Sequence, residues 1–314
     1  ESWGSNPWQG VIDPYEMGRN NVVDAIGKII SVGGNLEKIV FNGNTTCPKP
    51  EEDPEIAAGV LRMIKGAADA QLFFNAPTIS GKDSTSMERS YRSTESGQEI
   101  KVKAKLELLM SALGIIKEDS TLITSDFKLP GDIIYVIGET KNELAASEYY
   151  LLHSNNKDNS PNKNNSQNRI QLGENVPTSN FEEIKITYDK MIEATKSKLL
   201  HSAQYLSKGG LAYALSNCAI AGDLGVSIGL DNLCAKQNEQ NDALVLYSES
   251  TGRFLVSVHP ANKNNFERIM KDVYCKEIGV VNRSKDFKIK LEDKDIINTD
   301  VDKLREYNKG RISY

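Results

Sequence analysis

PEIAAGVLRMIKGAADAQLFFNAPTISGKDS, residues 54–84, decides the kind of fold this sequence makes. Ile56, Val60, Ile64, Ala68 and Leu72 recur at helical spacing, which predicts a helix from Pro54 to Phe74 with those side chains on its buried face. Ala76 to Ser80 then reads as a strand entering a polar loop, Gly81-Lys82-Asp83-Ser84. The same alternation precedes it. Val22, Val23, Ile26, Ile29 and Ile30 predict a helix over Met17 to Ile30, ended by Gly33-Gly34, and Lys38 to Phe41 is a short strand running into the loop Asn42 to Pro48. Helices alternating with strands exclude an all-helical fold and make this an α/β or α+β chain.

Toward the C-terminus, Ile100, Val102, Ala104, Leu106 and Leu108 alternate with polar residues, as one half-buried strand does. A composition shift at Lys117 to Ser120 divides the chain into domains 1–118 and 119–314. Beyond it, strands are expected at Thr121 to Thr124 and Ile133 to Ile137, joined through the turn Leu129 to Asp132, followed by a helix from Asn142 to Leu152. Asn155 to Asn168 holds seven asparagines in fourteen residues and almost nothing apolar, so a mobile loop is expected at about 154–180. A helix follows from Glu182 to Ser202, and Leu206 to Leu211 opens another that runs through Ala221. Strands are predicted at Val226 to Gly229, Ala243 to Tyr247, Arg253 to Val258, Glu277 to Val281 and Phe287 to Leu291. Ala261 to Val273 reads as a helix, and Val301 to Tyr307 closes the chain.

Composition bounds what such a chain can do. At about 150 residues per domain, 314 residues suggest two. The 38 basic and 43 acidic residues are interspersed, with no basic block, which argues against nucleic-acid binding. Phosphorylated small molecules stay open, because backbone N–H groups bind them without net positive charge. No run approaches the roughly 18 apolar residues of a membrane span, and Glu1-Ser2-Trp3-Gly4 is unlike a signal peptide. Cys47, Cys218, Cys234 and Cys275 lie far apart, which argues against a disulfide scaffold or structural zinc site and fits a reducing cytoplasm.

Two loops could hold phosphate. Gly81-Lys82-Asp83-Ser84 offers a glycine, a cation, a carboxylate able to hold Mg²⁺ and a hydroxyl. Ser207-Lys208-Gly209-Gly210 precedes a helix, where free N–H groups and the helix dipole attract anions. Neither is a Walker loop, and on spacing alone an ordinary surface turn at the first and a capped helix start at the second are the favoured readings. Of the histidines, His153 borders the asparagine-rich stretch, His201 falls at a predicted helix end where the dipole accounts for it, and His259 precedes Pro260. None shares a polar constellation with a nucleophile or second ligand, and no cysteine has the setting of a Cys–His hydrolase.

The motifs also match a family. Asp13-Pro14-Tyr15-Glu16-Met17, Asp24-Ala25-Ile26, Val32-Gly33-Gly34 and above all Ile79-Ser80-Gly81-Lys82-Asp83-Ser84 come first. Asp126-Phe127-Lys128, Pro130-Gly131-Asp132, Ser147-Glu148-Tyr149-Tyr150, Gly209-Gly210-Leu211-Ala212, Ser248-Glu249-Ser250 and Arg253-Phe254 follow in family order. With these, the chain resembles the C-terminal half of the synthetase part of phosphoribosylformylglycinamidine synthase, in the aminoimidazole-ribonucleotide synthetase superfamily.

The resemblance implies two α/β domains, the first joining its sheet to that of a partner half in a barrel-like core. It implies an ATP-dependent ligase of purine biosynthesis: ATP phosphorylates the amide oxygen of formylglycinamide ribonucleotide, and ammonia from a glutaminase subunit or domain displaces the phosphate, with Mg²⁺ offsetting charge. Gly81 falls where the family contacts ATP, Lys82 where some members have a Mg²⁺-linked asparagine, and Ser84 where substrate is held; Asp83 shares their loop. Asn42 and Asn44 lie in a loop that usually carries aspartate and asparagine near the nucleotide, and Ser207, Gly209 and Gly210 complete the implied set. Larger members hold an auxiliary Mg²⁺–nucleotide through positions that here read Asp24, Lys28 and Tyr205. The resemblance therefore implies that this second site is lost or altered, with Lys28 pairing to Asp24 one helical turn away. The family's histidine-rich loop and glutaminase cysteine have no counterpart, so the chain is expected to be half an active site that needs an N-terminal half or a second copy. A free-standing homodimer acting on another small substrate, and a non-catalytic scaffold half, are the competing expectations.

Overall fold

The computed structural model describes residues 1–94, 96–116, 121–155, 172–233 and 242–309. Two proline-led helices organise its first part. Asp13 caps α2 (Pro14–Ser31), its Oδ1 accepting the Tyr15 N–H at 2.9 Å, and Asp53 caps α3 (Pro54–Phe74) in the same way. Proline at the first helical position has no N–H to leave unsatisfied. α3 stops where Asn75 turns left-handed at φ 51°. Together with the short α1 (Pro7–Ile12) these helices cover one face of a four-stranded sheet. Its strands are β1 (Ser2–Gly4), β2 (Ile39–Thr46), β3 (Thr78–Ser84) and β6 (Glu107–Gly114), in the order β1-β6-β2-β3. Only β2 and β3, joined through α3, run parallel. A separate ribbon of β4 (Glu88–Arg92) and β5 (Glu99–Lys103) leaves the end of β3.

The second part is a seven-stranded sheet in the order β13-β12-β9-β11-β7-β10-β8. Its strands are β7 (Ile133–Ile137), β8 (Leu200–Leu206), β9 (Gly225–Gly229), β10 (Arg253–Val258), β11 (Cys275–Asn282), β12 (Asp286–Leu291) and β13 (Lys294–Asp300). β7 and β10 are buried along their whole length because both faces are covered. On one face Tyr135, Tyr205 and Phe254 join a core shared with α2, α5 (Phe181–Lys196) and α8 (Lys263–Ile269). On the other, Ile134, Val136 and Leu255 meet α6 (Gly210–Gly222), α7 (Asp242–Tyr247) and α9 (Val301–Asn308). The first core runs without a break from Phe41 and Met110 of the small sheet to Val256 of the large one, so α2 is the shared spine. Neither sheet closes into a barrel among the described residues.

Several expectations give way. α3 does not bury the stripe from Ile56 to Leu72: Ile64 is 47 % and Leu72 80 % exposed, while Gly59, Met63, Gly66, Ala67 and Ala70 face inward. Close approach to α2 selects small residues, so Val60 packs only at the rim of the core and Ile64 and Leu72 stay outside. Asn42 to Thr46 and Gly81 to Ser84 are strand, not loop. The alternating run from Ile100 to Leu108 is split between β5 and β6, which lie in different sheets. Thr121 to Thr124 forms no strand. The helix expected from Asn142 begins only at Glu148 as α4 (Glu148–Asn155). The long helix to Ser202 ends at Lys196, because Lys198 takes φ 54° and the chain enters β8. Ala243 to Tyr247 is helical, a reversal that short apolar runs invite. Ala261 to Val273 is broken into α8 and short 3₁₀ turns. The 117–120 boundary, Cys234 and the asparagine-rich stretch from 156 to 168 lie outside the described residues.

Candidate functional site

Strand register assembles the first group of residues. β2 and β3 pair Asn42 with Ser80, Gly43 with Gly81, Asn44 with Lys82, Thr45 with Asp83 and Thr46 with Ser84. Side chains alternate along a strand, so Asn42, Asn44, Lys82 and Ser84 share the face that no helix covers. The Lys82 ammonium donates to Ser84 Oγ at 2.5 Å, consistent with that placement. Asp83 belongs to the opposite face, where burial first and then the Asp83 carboxylate raise the Cys47 thiol. The four-residue motif is therefore divided: cation and hydroxyl on one side, carboxylate on the other. Asn44 Oδ1 is buried on the uncovered face with no hydrogen-bond partner among the described residues, an acceptor open to an outside donor. Trp3, Ile79 and Leu113, exposed by 61, 68 and 47 %, line a shallow hollow on this face with Asn42 and Ser80.

Asp24, Tyr205 and Lys28 form a second group beyond the opposite edge of the sheet. Three strand spacings separate β3 from β1, about 14 Å. The Tyr205 hydroxyl donates to Asp24 Oδ1 at 2.8 Å and accepts the Gly252 N–H at 2.8 Å. Its ring lies where Gly27 has no side chain, since a Cβ there would come within 2.1 Å of it. Burial, above all, holds the Asp24 carboxyl above its usual range, partly offset by Lys28. Lys28 makes its hydrogen bond elsewhere than expected, to the Trp3 carbonyl at 2.8 Å, with the ammonium 5.5 Å from the indole ring centroid. A phenol on the carboxylate and an ammonium beside it do not fit a magnesium ion. Among the described residues no three His, Cys, Asp or Glu side chains are grouped so as to hold a metal.

Ser207 to Gly210 is the third group. Gly209 and Gly210 take φ 77° and 61°, and a Cβ on Gly210 would lie 2.7 Å from the Leu246 carbonyl, so the turn requires both glycines. The anion at this helix start comes from inside the chain: Glu249 Oε1 accepts the Gly209 N–H at 2.9 Å. The same oxygen accepts the Glu148 N–H at 2.9 Å. Burial pushes the Glu249 carboxyl up to about 7. Beneath it Arg253 is wholly buried, donating to the Ser250 carbonyl at 2.9 Å, Thr140 Oγ1 at 2.8 Å and the Ser248 carbonyl at 2.5 Å, and desolvation draws it down to about 10. Glu249 and Arg253 had no role in the sequence reading, although Ser248-Glu249-Ser250 and Arg253-Phe254 carried the resemblance. A short polar segment with two charges between the apolar runs 243–247 and 254–256 was the available signal.

His201 and His259 stay apart from these groups, His153 lines a cleft with Lys208 and Gly209, and one expectation is corrected. His201 lies on β8, not at a helix end, and its Nδ1 is 2.8 Å from Oδ2 of the fully buried Asp132. His259 caps a 3₁₀ turn through Nδ1, and His153 stacks on Tyr149.

A family model described as "AIR synthase related protein, C-terminal domain" matches residues 130–292, just over half of the chain. The chain is 29 % identical over 300 residues to the "Phosphoribosylformylglycinamidine synthase subunit PurL" of Methanocaldococcus jannaschii, covering 94 % of this chain and 37 % of that protein. Among solved structures it is similar to "T. maritima PurL complexed with FGAR", with a TM-score of 0.71 and 17 % identity over 96 % of this chain and 45 % of the other. It is likewise similar to "T. maritima PurL complexed with ATP", with a TM-score of 0.65 and 18 % identity over 96 % and 43 %. At those identities the likeness is one of fold. The chain spans less than two-fifths of the length of the curated relative it matches.

Proposed function

We propose, because the chain belongs to the AIR synthase related proteins, that it supplies the C-terminal half of the synthetase of a phosphoribosylformylglycinamidine synthase. The observation that carries this reading is the sheet covered by helices on one face and bare on the other, with Asn42, Asn44, Lys82 and Ser84 among exposed apolar side chains. Half-covered sheets of this kind are completed by a second layer. The second layer here is the sheet of an N-terminal half, and the reacting groups lie at that junction.

In this account the complete enzyme uses ATP to phosphorylate the amide oxygen of formylglycinamide ribonucleotide, and ammonia delivered by a glutaminase displaces the phosphate. Phosphorylation turns a poor leaving group into a good one, and catalysis consists of positioning and charge stabilisation. Lys82 sets a positive charge beside the transferred phosphoryl oxygens, with Ser84 steering its ammonium. Asn44 offers its unpartnered carbonyl oxygen to a donor on the substrate. Magnesium, when bound with ATP, would offset phosphate charge; among the described residues no three carboxylate, histidine or cysteine side chains are grouped to hold it, and no step here is assigned to it. Gly81 and Gly43 lie side by side on neighbouring strands, where a Cβ on Gly81 would come within 3.3 Å of the Gly43 carbonyl.

Native mass spectrometry tests the assignment. A polypeptide of these 314 residues is expected to form a one-to-one complex with an N-terminal synthetase half and to bind ATP only in that complex. A stable homodimer that binds ATP unaided would instead establish a free-standing enzyme acting on another small substrate.

A further inference from the structure

Glu249 is placed to do more than fill a buried position. Its Oε1 takes the Gly209 N–H, at the N-cap of a thirteen-residue helix that has no side-chain cap, and the Glu148 N–H at the first residue of α4. α4 and the start of α6 are the two walls of an aromatic cleft, with Tyr149 and His153 on one side and Lys208 and Tyr213 on the other. Tyr149 stacks on Tyr247 at 5.0 Å and 20°, and on His153 at 4.1 Å. One carboxylate thus ties both walls at their bases.

We propose that Glu249 is a proton-operated double cap: ionised, it locks α4 to the Ser207–Gly210 turn, and protonated, it lets the two walls of the cleft move independently. Hydrogen bonds to an ionised acceptor are about twice as strong as neutral ones, so both N–H groups lose hold together. The surroundings keep the transition within reach of neutrality. Burial pushes the carboxyl up to about 7; Glu148 on α4 and Asp24 on α2 act in the same direction, while its two N–H donors oppose. Arg253 on β10 lies close enough to interact, and Lys208 lies 4.0 Å from Glu148 Oε1. Because the folded value lies above the ordinary 4.5, protonation below about pH 7 adds stability, so the cap opens without unfolding the chain.

Amide hydrogen exchange of the 314-residue chain, read by NMR between pH 5.5 and 8.5 and corrected for intrinsic rates, tests this. Protection of Glu148 and Gly209 should fall together by about tenfold, with one midpoint near 7. E249Q should show the low-pH pattern at pH 8 with no step, and H153N should keep the step. Separate midpoints for the two amides, no step in the unaltered chain, a step that survives E249Q, or one abolished by H153N would overturn the proposal.

Discussion

Lys82→Ala should lower kcat/KM of the enzyme reconstituted from both synthetase halves by about a hundred- to a thousandfold. Removing one group that stabilises transition-state charge typically costs about 3–4 kcal/mol, which converts to that range. Lys82 is exposed, and among the described residues its one hydrogen bond is to Ser84, so its removal should change folding stability by less than about 0.5 kcal/mol. Lys82→Arg keeps the charge but enlarges the head group and should recover part of the loss. Steady-state kinetics beside a urea titration separate the two effects. Activity within threefold of the unaltered enzyme would remove Lys82 from the site.

Gly66→Ala should destabilise the fold by about 3 kcal/mol, at the upper end of the usual cost of overpacking. A Cβ on Gly66 would meet the Tyr15 carbonyl at 2.0 Å, and one on Gly18 would meet the Met63 carbonyl at 2.1 Å. Both obstacles are backbone, so no rotamer change relieves them and the two helices must separate. The separation would spread into Met17, Ile26 and Met63, which are fully buried in the shared core. A lowered denaturant midpoint with unchanged slope is the expected result. Gly97→Ala, with nothing within 4 Å of its Cβ, serves as the comparison: its cost should be confined to backbone strain at φ 67°.

The same glycines explain what could be read in advance. α2 and α3 were legible because apolar periodicity and their ends agree, yet the buried face of α3 was misread. Periodicity reports where large apolar residues lie, whereas the α2–α3 contact is built from glycine and alanine. β2 and β3 were read as loops beyond Phe41 and Ser80 because their bare face carries asparagine, serine and lysine, the residues that elsewhere mark turns. The Glu249–Arg253 knot was beyond reach for a different reason: its partners are main-chain atoms of Gly209, Glu148, Ser248 and Ser250, and nothing in a sequence shows which carbonyls or amides lack a partner. Tyr205 was singled out as a departure from the family pattern, and the structure supplies the reason it matters, since its hydroxyl lies on Asp24.

The central claim is that these residues form one side of a shared active site. The direct measurement is turnover of formylglycinamide ribonucleotide with ATP, magnesium and ammonia, using a polypeptide of these 314 residues with and without an N-terminal synthetase half. No formylglycinamidine ribonucleotide is expected from the polypeptide alone, and product is expected once the N-terminal half is added. Turnover by the polypeptide alone, or none after a stable complex with that half has formed, would contradict the claim.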